Sequence, residues 1–243
     1  MPLLWGLAGL LAGSLVNLLI YRLLRIERGS EPVKSFQLAA PCPLYCQSFI
    51  LYVPARLIGR SGRDGSPGRT AAAVELSTAA AFGLLYLRFG PDPRLLLASF
   101  YSCILVLVFV VDWRRHLIFD LVTFPSMLLG VILTPLIFGM PVVMSLLGLA
   151  VGGIIFAALY GLGYLIFRRE ALGLGDVKLA MVLGAMMGFP AIMVVLLATS
   201  IIGGVAALGL IVSGRSGREF MPYGTAMCLG AFATFFLNVP SLY

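Results

Sequence analysis

A few of the ten acidic side chains in this 243-residue chain lie where a carboxylate could carry out chemistry. Asp112 follows a long apolar run, Asp120 comes eight residues later, and Asp176 ends the turn Gly173-Leu174-Gly175-Asp176 before another apolar stretch. Two carboxylates held close together cannot both ionise, so the pKa of one rises and the pKa of the other falls. The ionised member can take a proton from water while the protonated member gives one to an amide carbonyl. Such a pair hydrolyses peptide bonds without a metal ion or a Ser or Cys nucleophile.

Helical spacing limits which of these aspartates can pair. If the chain from Asp112 to Asp120 were one helix, the two residues would be separated by about 12 Å, whereas carboxylates that share a proton lie about 3 Å apart. The two therefore do not pair unless the chain breaks between them, and Asp176 is the expected partner of one of them. A simpler interpretation of the glycine-rich turn is a loop with a helix N-cap, since Asp caps helices well.

The elements that position these acids are predicted to be membrane helices. Hydrophobic residues make up 60% of the chain and charged residues 11%, and the mean hydropathy is +1.04. A soluble domain is about 25% charged. The chain lacks the polar residues to cover a water-facing surface, which excludes a soluble globular enzyme and a disordered tail. An acid within a membrane helix is costly, so each one is a candidate functional residue.

Eight apolar segments predict an all-α, polytopic membrane protein with about eight transmembrane helices and one long cytoplasmic loop. The segments lie near 3–24, 70–89, 95–111, 117–138, 142–167, 177–189, 191–212 and 221–239. We divide the chain into a first transmembrane helix (1–24), a cytoplasmic loop or small subdomain (25–69) and a transmembrane core (70–243). The N-terminal segment lacks the basic flank and small-residue cleavage site of a signal peptide, so we expect it to be retained.

The basic residues predict how this bundle is oriented. With the N-terminus outside, every Lys and Arg other than Arg88 and Arg94 lies in an inside segment, as expected because Lys and Arg in short loops resist translocation. The same orientation places Asp112 and Asp176 at the cytoplasmic ends of their helices. The net charge of +7 then favours contact with an anionic inner leaflet rather than with nucleic acid.

Several other polar residues have two interpretations each. Asn17 and Tyr21 share one helix face by their spacing, and this face either contacts a substrate helix or packs against a neighbouring helix. Lys178 either orients Asp176 or a substrate carbonyl, or it reaches the interface as a snorkelling lysine. Glu75 is either a functional acid within a membrane helix or, more simply, an acid that is solvated at the interface or paired with Arg.

Five short motifs, in this order, resemble those of the prepilin peptidases, the type IV leader peptidases. They lie at 13–17 with 20–22, at 111–125, at 173–179 (with a GxGD pattern), at 184–188 and at 221–224. The resemblance spans nearly the whole chain. It implies an integral membrane aspartic protease of the bacterial inner membrane. Such an enzyme cuts the basic leader of type IV prepilins or type II secretion pseudopilins after a Gly, at the cytoplasmic face.

The resemblance also implies roles for individual residues. The two catalytic aspartates of the family correspond to Asp112 and Asp176, which selects Asp112 over Asp120 as the partner. Bacterial members often also N-methylate the new N-terminus with S-adenosylmethionine, whereas the proteolysis itself needs no cofactor. Four neighbouring residues are expected to support the pair: Gly173, Gly175, Lys178 and Asp120.

The long loop departs from the family pattern, which usually has two CxxC pairs that bind zinc. Here Cys42 and Cys46 have a C-x3-C spacing, and Ser61 and Asp64 stand where the second pair is expected. Structural zinc requires four soft or borderline ligands in a closed tetrahedron. We therefore expect no zinc, with Cys42 and Cys46 as weak candidate ligands.

A different class of protein could also contain buried aspartates. A small transporter or channel would use them to bind a cation or relay protons. That alternative predicts aspartates near the bilayer midplane and paired repeats, whereas the sequence has aspartates at helix ends and no evident repeat.

Overall fold

Every element that the structure describes is a helix, because backbone N–H and C=O groups in an apolar solvent must find partners within their own segment. The computed structural model describes residues 1–28, 69–168, 172–212 and 223–236. Over these residues the helices are α1 (Pro2–Arg28), α2 (Arg69–Phe89), α3 (Pro93–Arg115), α4 (Asp120–Phe138), α5 (Val142–Phe167), α6 (Leu174–Met187), α7 (Ala191–Val212) and α8 (Tyr223–Phe236). The predicted all-α class is confirmed.

Six of the described helices, α1 to α5 and α7, are long and apolar enough to cross a membrane. Helices α6 and α8 have 14 residues each and rise about 21 Å, less than the roughly 30 Å of a hydrocarbon core. The chain is therefore a polytopic membrane protein. The predicted loop at 25–69 lies outside the described residues apart from its two ends, and so do Cys42 and Cys46.

The chain divides into two compact units, Met1–Val110 and Val111–Tyr243. In the first unit, α1 packs closely along α2 through two glycines. A Cβ added at Gly9 would lie 2.8 Å from Ala79 Cα, and one added at Gly13 would lie 2.7 Å from Glu75 Cα. Larger residues at either position would push the helices apart, so small residues set the approach of α1 to α2.

A buried polar cluster lies at this α1–α2 contact. Glu75 is 1% exposed and accepts hydrogen bonds from Ser14 Oγ at 3.1 Å and from Asn17 Nδ2 at 3.4 Å. Asn17 Nδ2 also donates to the Ala71 carbonyl at 3.0 Å, while Tyr21 is exposed. Glu75 is thus not a solvated interface acid, and Asn17 joins two helices, as its packing interpretation predicted.

In the second unit, α6 is the helix around which the others pack, because it contacts α4, α5, α7 and α8. Its residues from Leu179 to Met187 are buried, with the exception of Met181. Gly148 of α5 and Gly184 of α6 meet so closely that a Cβ on either would overlap the carbonyl oxygen of the other. Ser145 Oγ of α5 donates to the Ala185 carbonyl at 2.7 Å. These contacts hold α6 against α5 and thereby fix the position of its first turn.

We expect Gly184→Ala to destabilise the protein by about 1–3 kcal/mol, because an added methyl group overpacks the α5–α6 contact. Gly161→Ala on α5 is the matched control, since a Cβ there meets nothing within 4 Å. The control should leave stability unchanged or raise it by up to about 1 kcal/mol through helix propensity. Thermal unfolding of both variants in detergent measures the difference, and equal midpoints would contradict the close contact.

Candidate active site

Asp112 lies in the last turn of α3, where the negative end of the helix macrodipole disfavours a carboxylate. Its side chain is buried, with 4% of the residue exposed. The backbone N–H of Thr225, in the first turn of α8, donates to Asp112 Oδ2 at 2.8 Å. Asp112 therefore also lies at the positive end of the α8 macrodipole. The favourable interaction with α8 offsets the unfavourable interaction of the carboxylate with the negative end of α3.

Gly224 allows this approach. A Cβ added at Gly224 would lie 2.8 Å from Asp112 Oδ2 and 2.9 Å from Asp112 Cγ, closer than real Cβ contacts. The backbone of α8 can reach the carboxylate only because position 224 has no side chain. This gives a physical reason for the glycine in the motif at 221–224, for which the sequence suggested no role.

Asp176 lies in the first turn of α6, at its third residue. Gly173 is the N-cap residue, with φ −78° and ψ 143°, and its backbone N–H donates to Asp176 Oδ2 at 3.2 Å. Asp176 thus accepts a hydrogen bond from the N-cap residue as the third residue of the helix, and it is not itself the N-cap residue. The backbone at Gly173 is extended, so this glycine is not used for a positive φ.

The second glycine of the turn is required by a neighbouring loop. A Cβ added at Gly175 would lie 3.1 Å from Ile118 Cβ, and Ile118 belongs to the short connection between α3 and α4. The absence of a side chain at Gly175 lets this connection pack against the start of α6. The helix end that carries Asp112 and the helix start that carries Asp176 are therefore held beside each other.

The electrostatics of Asp176 show that the two carboxylates interact. Burial and, to a smaller extent, the charge of Asp112 raise the pKa of Asp176 from 3.8 to about 6, although the hydrogen bond from Gly173 N–H acts to lower it. The pair predicted from the resemblance is thus brought together from α3 and α6. A carboxyl with a pKa near 6 can keep its proton close to neutral pH, as a catalytic acid must.

Asp120 and Lys178 form a separate pair. The chain does break after α3, at His116 with φ 53°, so helical spacing does not by itself exclude a contact between Asp112 and Asp120. Asp120 instead accepts from Lys178 Nζ at 2.6 and 2.8 Å, on a surface where both side chains are partly exposed. The Lys178 side chain therefore binds Asp120 and does not orient Asp176, which was one of its predicted roles.

Sequence reasoning missed three residues of the site: Tyr223, Gly224 and Thr225. Tyr223 lies close enough to Ser200 and to Asp176 for both side chains to influence the pKa of its hydroxyl, which burial raises. The motif at 221–224 was the available signal, but sequence alone does not reveal which helix start faces which aspartate. Within the described residues no three His, Cys, Asp or Glu side chains come together as metal ligands.

The raised pKa of Asp176 predicts how stability changes with pH. The folded state binds this proton more tightly than the unfolded state, so the stabilisation is complete below pH 3.8 and is lost as pH rises through about 6. Asp176→Asn does not titrate in this range. The measured quantity is the unfolding midpoint of Asp176→Asn minus that of the wild-type protein, from thermal unfolding in detergent. We expect this difference to be larger at pH 8 than at pH 4.

The matched control for this prediction is Asp92→Asn, which removes the charge of a partly exposed acid near Arg94 and keeps a side-chain oxygen that can accept from the Arg94 N–H at the start of α3. Its midpoint relative to wild type should change little between the two pH values. A pH-independent difference for Asp176→Asn would show that Asp176 does not hold its proton in the folded protein.

Comparisons with known proteins identify relatives of this chain. The type IV leader peptidase family matches residues 99–208. The prepilin leader peptidase/N-methyltransferase of Klebsiella pneumoniae is 30% identical, over 82% of this chain and 92% of that protein. The Xanthomonas campestris protein of the same name is 29% identical, over 87% of this chain and 72% of its own length.

A third relative, from Escherichia coli, is a type 4 prepilin-like proteins leader peptide-processing enzyme. It is 32% identical, over 98% of this chain and 94% of its own length. No solved structure shows a significant match. The transporter or channel alternative is therefore wrong, and the chain belongs to the type IV leader peptidase family.

Proposed function

We propose that this protein is a prepilin leader peptidase, an intramembrane aspartic endopeptidase that removes the leader of type IV prepilins or type II secretion pseudopilins. One observation carries the proposal: Asp112 and Asp176, from two different helices of a membrane protein, are near enough for their charges to interact. The family membership of the chain supports the same chemistry.

The reaction follows from the two carboxylates. One aspartate, ionised, takes a proton from a water molecule as the water oxygen attacks the scissile carbonyl carbon. The other gives its proton to the carbonyl oxygen, which forms a tetrahedral diol. The first aspartate then protonates the leaving nitrogen, the C–N bond breaks, and a diol proton returns to the second. Both residues regain their starting protonation states, and no covalent intermediate with the enzyme forms.

The distribution of basic residues supports an orientation for this chemistry. With the N-terminus outside, Asp112 and Asp176 face the cytoplasm of a bacterial inner membrane. A prepilin has a basic leader on that side, and its apolar segment lies in the bilayer as a helix. The basic residues of this chain would contact the anionic inner leaflet, and nucleic acid is not an expected partner. Tyr21 and Asn17 stay candidate contacts for the substrate helix.

Methyl transfer to the new N-terminus is a second part of the proposal, because relatives are named as N-methyltransferases. S-Adenosylmethionine would supply the methyl group, and we assign none of the described residues to its binding. We derive no zinc-dependent step, since Cys42 and Cys46 lie outside the described residues. Transfer of labelled methyl groups to mature pilin in the cleavage assay tests this part.

The cleavage proposal predicts that Asp112→Asn and Asp176→Asn each lower kcat/KM for a prepilin by about 10²–10⁴-fold, the usual contribution of one general acid or base. The assay is conversion of prepilin to mature pilin by purified enzyme in detergent. Asp120→Asn is the matched control. It removes an acid that forms a partly exposed ion pair, worth at most about 1 kcal/mol, so its activity should fall less than tenfold.

Full activity of either dyad variant would contradict the assignment of the pair. A large loss in Asp120→Asn, with both dyad variants active, would move the catalytic role to Asp120. No cleavage of any prepilin or pseudopilin by the wild-type protein would contradict the proposed function itself.

A further inference from the structure

The first turn of α8 contacts Asp112 through backbone atoms, and the mechanism above gives this turn no role. We infer that the turn Tyr223–Gly224–Thr225 determines which aspartate is the base and which is the acid. The turn keeps Asp112 as the ionised carboxylate that takes the proton from water. Asp176 is then the member that carries the proton. This inference rests on the proposed function and adds a positioning element to it.

The hydrogen bond from Thr225 favours the charged form of Asp112. A backbone N–H is a donor only, so it binds an ionised carboxylate oxygen better than a protonated one. The distance of 2.8 Å between Thr225 N and Asp112 Oδ2 is that of a strong charge-assisted bond. Thr225 is the third residue of α8, where the backbone N–H has no partner within the helix. Asp112 satisfies that donor.

Gly224 makes this arrangement specific to Asp112. Both carboxylate oxygens lie close to position 224, since a Cβ there would be 2.8 Å from Oδ2 and 3.3 Å from Oδ1. Oδ2 is occupied by the Thr225 N–H, so a proton taken from water would bind to Oδ1. The glycine therefore keeps the carboxylate against a helix start and leaves one defined oxygen for proton transfer.

Asp176 is set up for the opposite role. Its donor is the Gly173 N–H at a longer distance of 3.2 Å, and the neighbouring charge of Asp112 opposes a second negative charge in the pair. Once Asp112 is held ionised, repulsion keeps the proton on Asp176. Asp176 then donates to the carbonyl oxygen while Asp112 Oδ1 accepts from water, which balances the first step of hydrolysis.

The titratable groups around Asp112 must be separated in any test. They are His116 at the end of the same helix, Asp176 on α6 and Cys228 on α8, while Tyr223 interacts with Asp176. Histidine titrates in the range where a carboxylate limb would be measured. His116→Asn removes that group and retains a residue that tolerates its positive φ, so it serves as the background for the pH profiles.

The decisive comparison is Thr225→Pro against Thr225→Val, both in the His116→Asn background. Proline removes the backbone N–H and is tolerated in the first turn of a helix, whereas valine removes the hydroxyl and keeps the N–H. We expect the acidic limb of kcat/KM for prepilin cleavage to lie about 1–2 pH units higher in Thr225→Pro. The alkaline limb should coincide in the two variants. Coincident acidic limbs would overturn the inference, and so would a shift of the alkaline limb alone.

If Thr225→Pro does not fold, residue 225 can instead be replaced by the α-hydroxy acid that has the side chain of valine. This replacement changes the amide before position 225 to an ester and so removes the same N–H. Its acidic limb should move relative to Thr225→Val in the same direction. If the wild-type protein cleaves no prepilin, the proposed function fails, and thermal unfolding still tests the inference. Loss of the N–H should then lower the unfolding midpoint more at pH 8 than at pH 4, and a pH-independent effect would overturn it.

Discussion

The constraint on which the rest of this structure depends is that two carboxyl groups, those of Asp112 and Asp176, lie close enough for their charges to interact. Neither Asp112 nor Asp176 could stay near the other if both were ionised and unsupported. Each carboxylate meets the N–H groups of a helix start: Asp176 in the first turn of its own helix, and Asp112 against the first turn of α8. Two helix N-termini thus converge on one pair of acids. The inferred difference in protonation state between the two acids follows from the unequal support of those two helix starts.

Glycines, which have no side chain, make this convergence of helices possible. Gly224 lets α8 reach Asp112, Gly175 lets the α3–α4 connection pack on the start of α6, and Gly148 and Gly184 bring α5 and α6 into backbone contact. In a membrane, lipid is as apolar as the helix surface, so close packing of small residues replaces the hydrophobic effect between helices. The same glycines that hold the second unit together also place its aspartates. In the proposed mechanism, stability and catalysis therefore depend on the same contacts.

Local patterns predicted most of this fold. The apolar segments predicted the described helices because length and hydropathy determine what can span a bilayer, and Asp112 and Asp176 were singled out as acids at helix ends. The partners of other residues were not predictable. Glu75 is buried beneath Asn17 rather than solvated, and Lys178 pairs with Asp120 rather than with Asp176. Such contacts depend on how helices distant in sequence are rotated towards each other, which hydropathy does not encode. The role of Thr225 is a backbone contact, so its side-chain type carries no signal.

The most direct test of the central claim is the pH dependence of kcat/KM for prepilin cleavage by the His116→Asn enzyme. Two aspartates in unlike protonation states predict a bell-shaped profile. Its acidic limb reports protonation of the base, and its alkaline limb reports loss of the proton from the acid. Asp112→Asn and Asp176→Asn should each remove activity at every pH. A profile that rises through one limb and stays level at high pH would show that only one carboxylate titrates in the reaction, and would contradict a proton-sharing pair.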